Sequence, residues 1–392
     1  MLKNEWKNAK LEKYVEINPK ESLSKGKIAK KISMDKLQPF YRDITKYEIE
    51  KFSNGSKFRN EDTIMARITP CLENGKIAMV NILDDGEIGF GSTEFIVFRA
   101  KKEFTVPHFV YYLICSSFVR EPAIKSMVGS SGRQRVQTDV IKELKISFPN
   151  INEQIQISSI LKCLDDKIAL NNKINNNLEQ QAQAIFSNEF LSLETLPDGW
   201  KQASLIDIAD YLNGLAMQKY RPTADETGIP VLKIKELRQG CCDNNSELCS
   251  PNIKSDYIIQ DGDVIFSWSG SLLVDLWCGG TCGLNQHLFK VSSSKYDKWF
   301  YYAWTKHHLD RFIAVAADKA TTMGHIKRDE LAKAEVLIPN EADYERIGAL
   351  LKPIYDLIIA NRIENKKLAE TRDTLLPKLM NGEIDISEVD YE

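Results

Sequence analysis

The chain has no apolar run approaching the roughly 20 residues that cross a bilayer. Met1-Leu-Lys-Asn-Glu-Trp6 does not open like a secretory leader. Together these absences lead us to expect a cytoplasmic protein, whose eight cysteines stay thiols. Neither charge sign dominates: 52 Lys and Arg face 55 Asp and Glu, a net charge of −3. A polybasic protein is thereby excluded, and any phosphate binding must rest on local patches. The five histidines (His108, His287, His307, His308 and His325) show no metal-ligand spacing with acids. No glycine-rich cofactor loop follows a strand-like stretch, and no Walker A motif occurs.

What is present is organised around Asn152–Phe186. Ile157, Leu161, Leu164, Ile168, Asn171, Asn175, Leu178, Ala182 and Ile185 recur at steps of three and four, the spacing of a coiled-coil seam. Pro149 precedes the stretch, and Asn150, Asn152 and Glu153 supply capping and first-turn acid. About 35 residues at 1.5 Å each make a rod of roughly 50 Å. One apolar stripe on such a rod requires a second helix.

That helix lies in the same chain. A shift of 190 positions lays Val136–Phe186 over Ile326–Leu376 without a gap. The later seam reads Ile347, Leu351, Ile354, Ile358, Asn361, Leu368 and Leu375. Trp6 recurs as Trp200 at a shift of 194, and the Asp62 turn recurs at Asp263 at 201. This period is too long for a solenoid and describes a duplicated unit, a globular block followed by a long helix. Phe95–Phe98 and Leu288–Val291 read as matching strands, and Val106–Ser117 and Trp299–His308 as matching aromatic helices. The expected fold class is α+β: blocks at 1–150 and 194–340, long helices at 151–193 (with its linker) and 341–380, and an acidic, fraying tail at 381–392. The two helices are expected to pack as an antiparallel coiled coil. Asn171 and Asn361 are then expected in the same or neighbouring layers, where a buried Asn gives up stability to fix register.

Leu161…Leu164-Asp-Asp-Lys-Ile168…Asn171-Asn-Lys-Ile174…Leu178-Glu, followed by Leu196-Pro-Asp-Gly-Trp200, resembles the specificity subunits of type I restriction–modification systems. The ending Arg372-Asp-Thr-Leu-Leu-Pro-Lys-Leu379 carries the same resemblance, which spans the whole chain. It implies a non-catalytic DNA reader in which each block binds one half-site and the helices set the spacing. It further implies two methyltransferase subunits and restriction subunits as partners on double-stranded DNA. No cofactor is then expected in this chain; S-adenosylmethionine belongs to the methyltransferase, ATP and Mg to the restriction subunit. Because the two blocks differ in sequence, the target is expected to be split and asymmetric.

The richest candidate for DNA contact is Lys125-Ser-Met-Val-Gly-Ser130-Ser131-Gly-Arg133-Gln134-Arg135-Val-Gln137. Glycines let backbone approach phosphate, and Arg and Gln are the side chains that read guanine and adenine. Its second-copy counterpart holds Lys319, Thr321, Thr322, His325, Lys327 and Arg328. Arg67, Asn74 and Lys76 in the first block, with Ser267, Trp268 and Ser269 in the second, are further loop candidates. On the helices, Lys162, Lys167, Lys173, Glu179, Lys352, Arg362, Lys366 and Glu370 are expected opposite the seam, where partners would grip.

Two other readings stay open on the residues alone. A self-contained enzyme would need a site in unrecognised loops; Asn18-Pro19-Lys20 starts like a methyltransferase Asn-Pro-Pro-aromatic motif but lacks its second Pro and aromatic. A coiled-coil adaptor would bind proteins only. Cys241, Cys242, Cys249, Cys278 and Cys282 fall within 42 residues, but their irregular spacing favours core or loop thiols over zinc.

Overall fold

In a computed structural model, residues 6–130, 132–243, 245–318 and 328–386 are described. The chain forms two units, one of Met1–Ala169 with Leu368–Glu392, the other of Leu170–Lys367. Both long helices run through the division, Ile151–Phe186 over 36 residues and Glu341–Met380 over 40. Each unit therefore contains a globular block and one half of each long helix.

The blocks repeat one topology. In the first, Val15–Ile17, Phe95–Ala100, Thr63–Ala66 and Ile77–Met79 form an antiparallel sheet in that order. A second sheet runs Glu48–Lys51, Ile28–Ile32, Gly89–Gly91, Lys57–Phe58, with its middle pair parallel. In the other block Asp210–Asn213, Leu288–Ser292, Val264–Ser267 and Leu273–Leu276 reproduce the first sheet. Leu248–Cys249, Ile229–Leu232, Cys282–Leu284 and Ile258–Ile259 reproduce the second, parallel pair included. Each block also closes with a two-stranded ladder, Lys7–Lys10 on Lys145–Phe148 and Lys201–Ser204 on Glu335–Ile338. The strand before each long helix is thus tied to the strand that opens its block.

The aromatic helices pack the blocks against the long helices. Phe109, Val110 and Leu113 of Pro107–Cys115 share a core with Ile157, Leu161 and Leu379. Trp299, Phe300 and Trp304 of Lys298–His307 share one with Phe186, Ile347 and Leu351. Asn150 and Glu153 bond reciprocally to each other's backbone N–H at 3.0 Å, the capping arrangement that starts the first helix. Asn340 accepts from the Asp343 N–H at the start of the second. Asn152, expected to help cap, lies inside the helix and exposed, because Asn150, two positions earlier, makes the capping bonds.

Pairing of the helices is antiparallel in each unit. In the first, Arg372 Nη1 donates to Asp165 at 2.7 Å while Leu161 shares a core with Leu379. In the second, Asn171 Nδ2 donates to Glu364 Oε2 and Asn365 Oδ1, and Asn361 Nδ2 donates to Asn175 Oδ1 at 2.9 Å. Asn171 and Asn361 occupy neighbouring layers and do not pair with each other; each bonds the asparagine four residues beyond the other, Asn171 with Asn365 and Asn361 with Asn175. Leu164 is only half-buried because Asp165, one position along, takes the inward place. Two expected partner-facing residues are also turned inward. Arg362 bonds Asp275 at 2.7 Å and Glu179 at 3.0 Å, so both residues bind helix to block within the second unit. Of the expected acidic tail, Ile384 and Ile386 pack into the first unit's core instead of fraying. Among the described residues no helix is long and apolar enough to cross a membrane.

The cysteines are free, and Cys249, Cys278 and Cys282 are buried. Gly283 shows why the space is small: a Cβ there would meet Cys249 Sγ at 2.5 Å. No group of three metal-ligating side chains assembles among the described residues.

Candidate nucleic-acid interface

The first sheet of each block ends in a cluster of loops that hold most of the candidate side chains. In the first unit Arg67 follows Ala66, the last residue of its strand, and its N–H donates to Glu94 O at 2.8 Å. The Lys125–Gln137 segment folds beside it. Thr69 N–H donates to Gln134 O at 3.0 Å, Val136 N–H to Arg67 O at 2.8 Å, and Arg135 bridges to both Ile68 and Val128. Three segments far apart in sequence therefore form one backbone-bonded surface. Gly129 serves the turn of that segment at φ +136, where a Cβ would lie 3.0 Å from Arg133 O.

Arg135 is gripped by a carboxylate on this surface. Its Nε lies 2.9 Å from both Glu94 oxygens and its Nη2 2.7 Å from Oε1. The guanidinium holds the Glu94 carboxyl below its ordinary range, against a smaller opposing effect of burial. Arg133 is exposed and makes no side-chain bond among the described residues, and Ser130, Gln137 and Asn74 are exposed as well. Lys125 pairs with Glu121 at 3.7 Å. Gln134 is half-buried. Two candidates point inward: Arg67 Nη2 donates to Val136 O at 3.2 Å, and Lys76 Nζ to Met34 O at 2.8 Å. Both shape the loops.

The same sheet end in the second unit carries different chemistry. Trp268 follows Ser267 as Arg67 follows Ala66, and His287 precedes Leu288 as Glu94 precedes Phe95. Trp268 stacks on Phe289 at 5.5 Å and donates through Nε1 to Asn213 Oδ1 at 3.1 Å. Ser269 Oγ lies 3.1 Å from His287 Nδ1, and Gln286 adjoins the same ring. Gly214 admits Asn285 to this corner; a Cβ would stand 2.2 Å from its carbonyl oxygen. Ser267 is fully buried and its hydroxyl donates to Ser271 O at 2.9 Å, so it builds the loop and has no exposed atom to offer DNA. Arg328 Nη2 donates to Tyr211 O at 3.2 Å. Ser131, Lys319, Thr321, Thr322, His325 and Lys327 lie outside the described residues.

Glu94, Asn213, Gln286 and His287 were not among the sequence candidates. The signal was one residue away. The shift of 193 that matches Phe95 with Leu288 places Glu94 on His287 when extended back by one, and the shift of 201 places Arg67 on Trp268.

A duplicated α+β block with polar, unlike side chains at one matched sheet end, paired with a long helix, is the architecture of a modular recognition protein. The sequence model of the type I restriction modification DNA specificity domain matches residues 3–180 and again 197–370, and the chain belongs to that family. It is 25% identical over 378 residues to the type I restriction enzyme MjaIX specificity subunit of Methanocaldococcus jannaschii, covering 89% of this chain and 86% of that one. It is 22% identical to the HindI specificity subunit of Haemophilus influenzae, over 82% of this chain and 86% of that one. Among solved structures, the type I restriction-modification S subunit from M. genitalium shares its fold, with a TM-score of 0.52 at 14% identity over 95% of this chain and 96% of that one.

Proposed function

We infer that this chain is the non-catalytic DNA-specificity subunit of a type I restriction–modification complex, reading a split, asymmetric target. The observation that carries the reading is the matched pair of sheet ends. Arg67 and Glu94 in one block stand where Trp268 and His287 stand in the other, so one scaffold organises two unlike sets of loops at its sheet end, each with its own exposed side chains for a duplex. Hydrogen-bonding and apolar contacts to base edges specify sequence, whereas phosphate contacts only position. Two scaffolds with unlike contacts accordingly recognise unlike half-sites. The antiparallel pairing of the long helices, with the Asn ladder in register, supports a role in fixing the spacer between half-sites. The partners in this reading are two adenine methyltransferase subunits and restriction subunits. S-adenosylmethionine would be bound by the former, ATP and Mg by the latter.

Mapping methylated adenines in DNA from cells carrying this chain with its methyltransferase tests the reading. The expected result is one motif of two unlike half-sites around a spacer of fixed length. A palindromic or continuous motif, or S-adenosylmethionine binding by the purified chain alone, would overturn it.

A further inference from the structure

Arg135 differs from every other cation on the first unit's sheet end in how its guanidinium is held. Glu94 takes the Nε and Nη2 side through bonds of 2.7 to 2.9 Å. Among the described residues no hydrogen bond engages Nη1. The backbone is pinned from both sides by the bridges to Ile68 and Val128, while the side chain remains 46% exposed. A planar fork clamped along one edge keeps the other edge, Nη1 with the outer N–H of Nη2, in a fixed plane facing solvent. Two parallel donors in one plane match the O6 and N7 acceptors of guanine in the major groove.

We propose that Arg135 reads a guanine in the half-site bound by the first unit, with Glu94 as the positioning residue that sets the plane of its fork. The inference rests on the DNA-reading role given above and adds the base and the residues to it. The neighbouring cations do not share the geometry. Arg67 spends an Nη2 bond on Val136 O, Lys76 is turned onto Met34 O, and exposed Arg133 has no carboxylate to orient it. Arg133 suits a phosphate, whose charge needs no fixed plane to be met. Pre-orienting Arg135 removes the rotamer entropy a free arginine would lose on binding.

The test is the methylated-adenine map of the complete complex with Arg135→Ala, Arg135→Lys and Glu94→Gln. Arg135→Ala should relax one guanine position in one half-site by roughly tenfold to a hundredfold, the discrimination of a good bidentate pair. The other half-site should be read as before, which also reports that the chain is folded. Arg135→Lys keeps the charge but not the fork and should lose the same guanine preference with little change in salt dependence. Glu94→Gln should weaken that preference, at that position only. An unchanged motif with uniformly lower methylation in Arg135→Ala would make Arg135 a phosphate contact and overturn the proposal. So would a lysine variant that reads guanine as the parent does, or a Glu94→Gln variant with an unaltered preference. A parent complex that methylates without a split motif would sink the DNA-reading role, and this assignment with it.

Discussion

At one matched joint, where Tyr112 and Tyr302 face the long helices, block meets helix by opposite means in the two units. In the first, Tyr112 OH donates to Asp165 at 2.7 Å, Asp165 accepts from Arg372 at 2.7 Å, and Arg372 also donates to Phe40 O. Arg42 reinforces the joint through Asp43 at 2.9 Å and Asp166 at 2.7 Å. In the second unit, the shift of 190 turns Asp165 into Tyr355, Arg372 into Ala182 and Tyr112 into Tyr302. There Tyr302 meets Tyr355 edge-on at 5.1 Å. Leu376 becomes Phe186, which packs edge-on against Trp304 at 5.0 Å. Around Leu376 the first unit keeps a cavity of about 260 Å³, lined also by Phe40, Tyr111, Cys115 and Arg120. One backbone arrangement is thus satisfied by a buried ion pair in one copy and by aromatic packing in the other. An ion pair buried to this degree demands exact geometry for modest net energy, whereas packed rings contribute through area. The first joint is therefore the more orientation-specific and the more fragile.

Breaking the charged joint should give the largest effect. Arg372→Ala leaves Asp165 buried without its charge partner and is expected to cost about 3–5 kcal/mol in urea denaturation. Installing the other copy's pair, Asp165→Tyr with Arg372→Ala, should recover much of that loss. A double variant no better than the single one would show that the two joints are not interchangeable.

The second unit should be the more acid-sensitive at His308. This ring is 8% exposed and lies 2.8 Å from Glu335 O, and burial lowers its pKa to about 4. In the unfolded chain it titrates near 6.5, so between those values the unfolded state binds more protons. The associated stability is fully present above about pH 6.5 and lost as pH falls towards 4, on the order of 1–3 kcal/mol. Five of the six tryptophans lie in the second unit, so fluorescence-monitored melts at pH 7 and pH 4.5 report on it. His308→Phe should flatten the pH response; a response that persists would assign it elsewhere.

The smallest effect belongs to Arg133. Arg133→Gln should lower the slope of log affinity against log salt by about one and leave the methylated motif unchanged. A changed motif would make it a base reader and remove its contrast with Arg135.

The duplication and both long helices were legible because the 190-residue shift is gapless where helix meets helix, and an uninterrupted seam tolerates no insertion. Asn171 and Asn361 were legible as buried polar positions; their actual partners depended on an offset that spacing alone leaves open. Asp165 and Arg372 were missed because single charges on a helix read as solvated, and only the fold shows that they face each other. Leu164 reads as the seam residue in place of Asp165 because adjacent residues on a helix differ by about 100° and hydrophobicity points to the leucine, whereas the fold turns the paired aspartate inward. At the sheet ends, the Arg67 and Trp268 loops were found from local composition. Glu94 and His287 required the strand register, which brings residues from different loops together. Arg362 and Glu179 read as an outer charged face because nothing in the helix itself reveals the strand at Asp275.

The ladders that close the blocks carry an evolutionary consequence. Lys7–Lys10 lies against Lys145–Phe148, and Lys201–Ser204 against Glu335–Ile338, each pair in continuous antiparallel register. Neighbouring strands stand about 4.8 Å apart, so everything a block contains enters and leaves through one narrow gate. A foreign insert spliced between those two strands would need to match that gate and to carry its own aromatic helix to cover the long-helix face. Recombination at these sites would move a whole block as one segment, with both strands of its closing ladder cut at matching points.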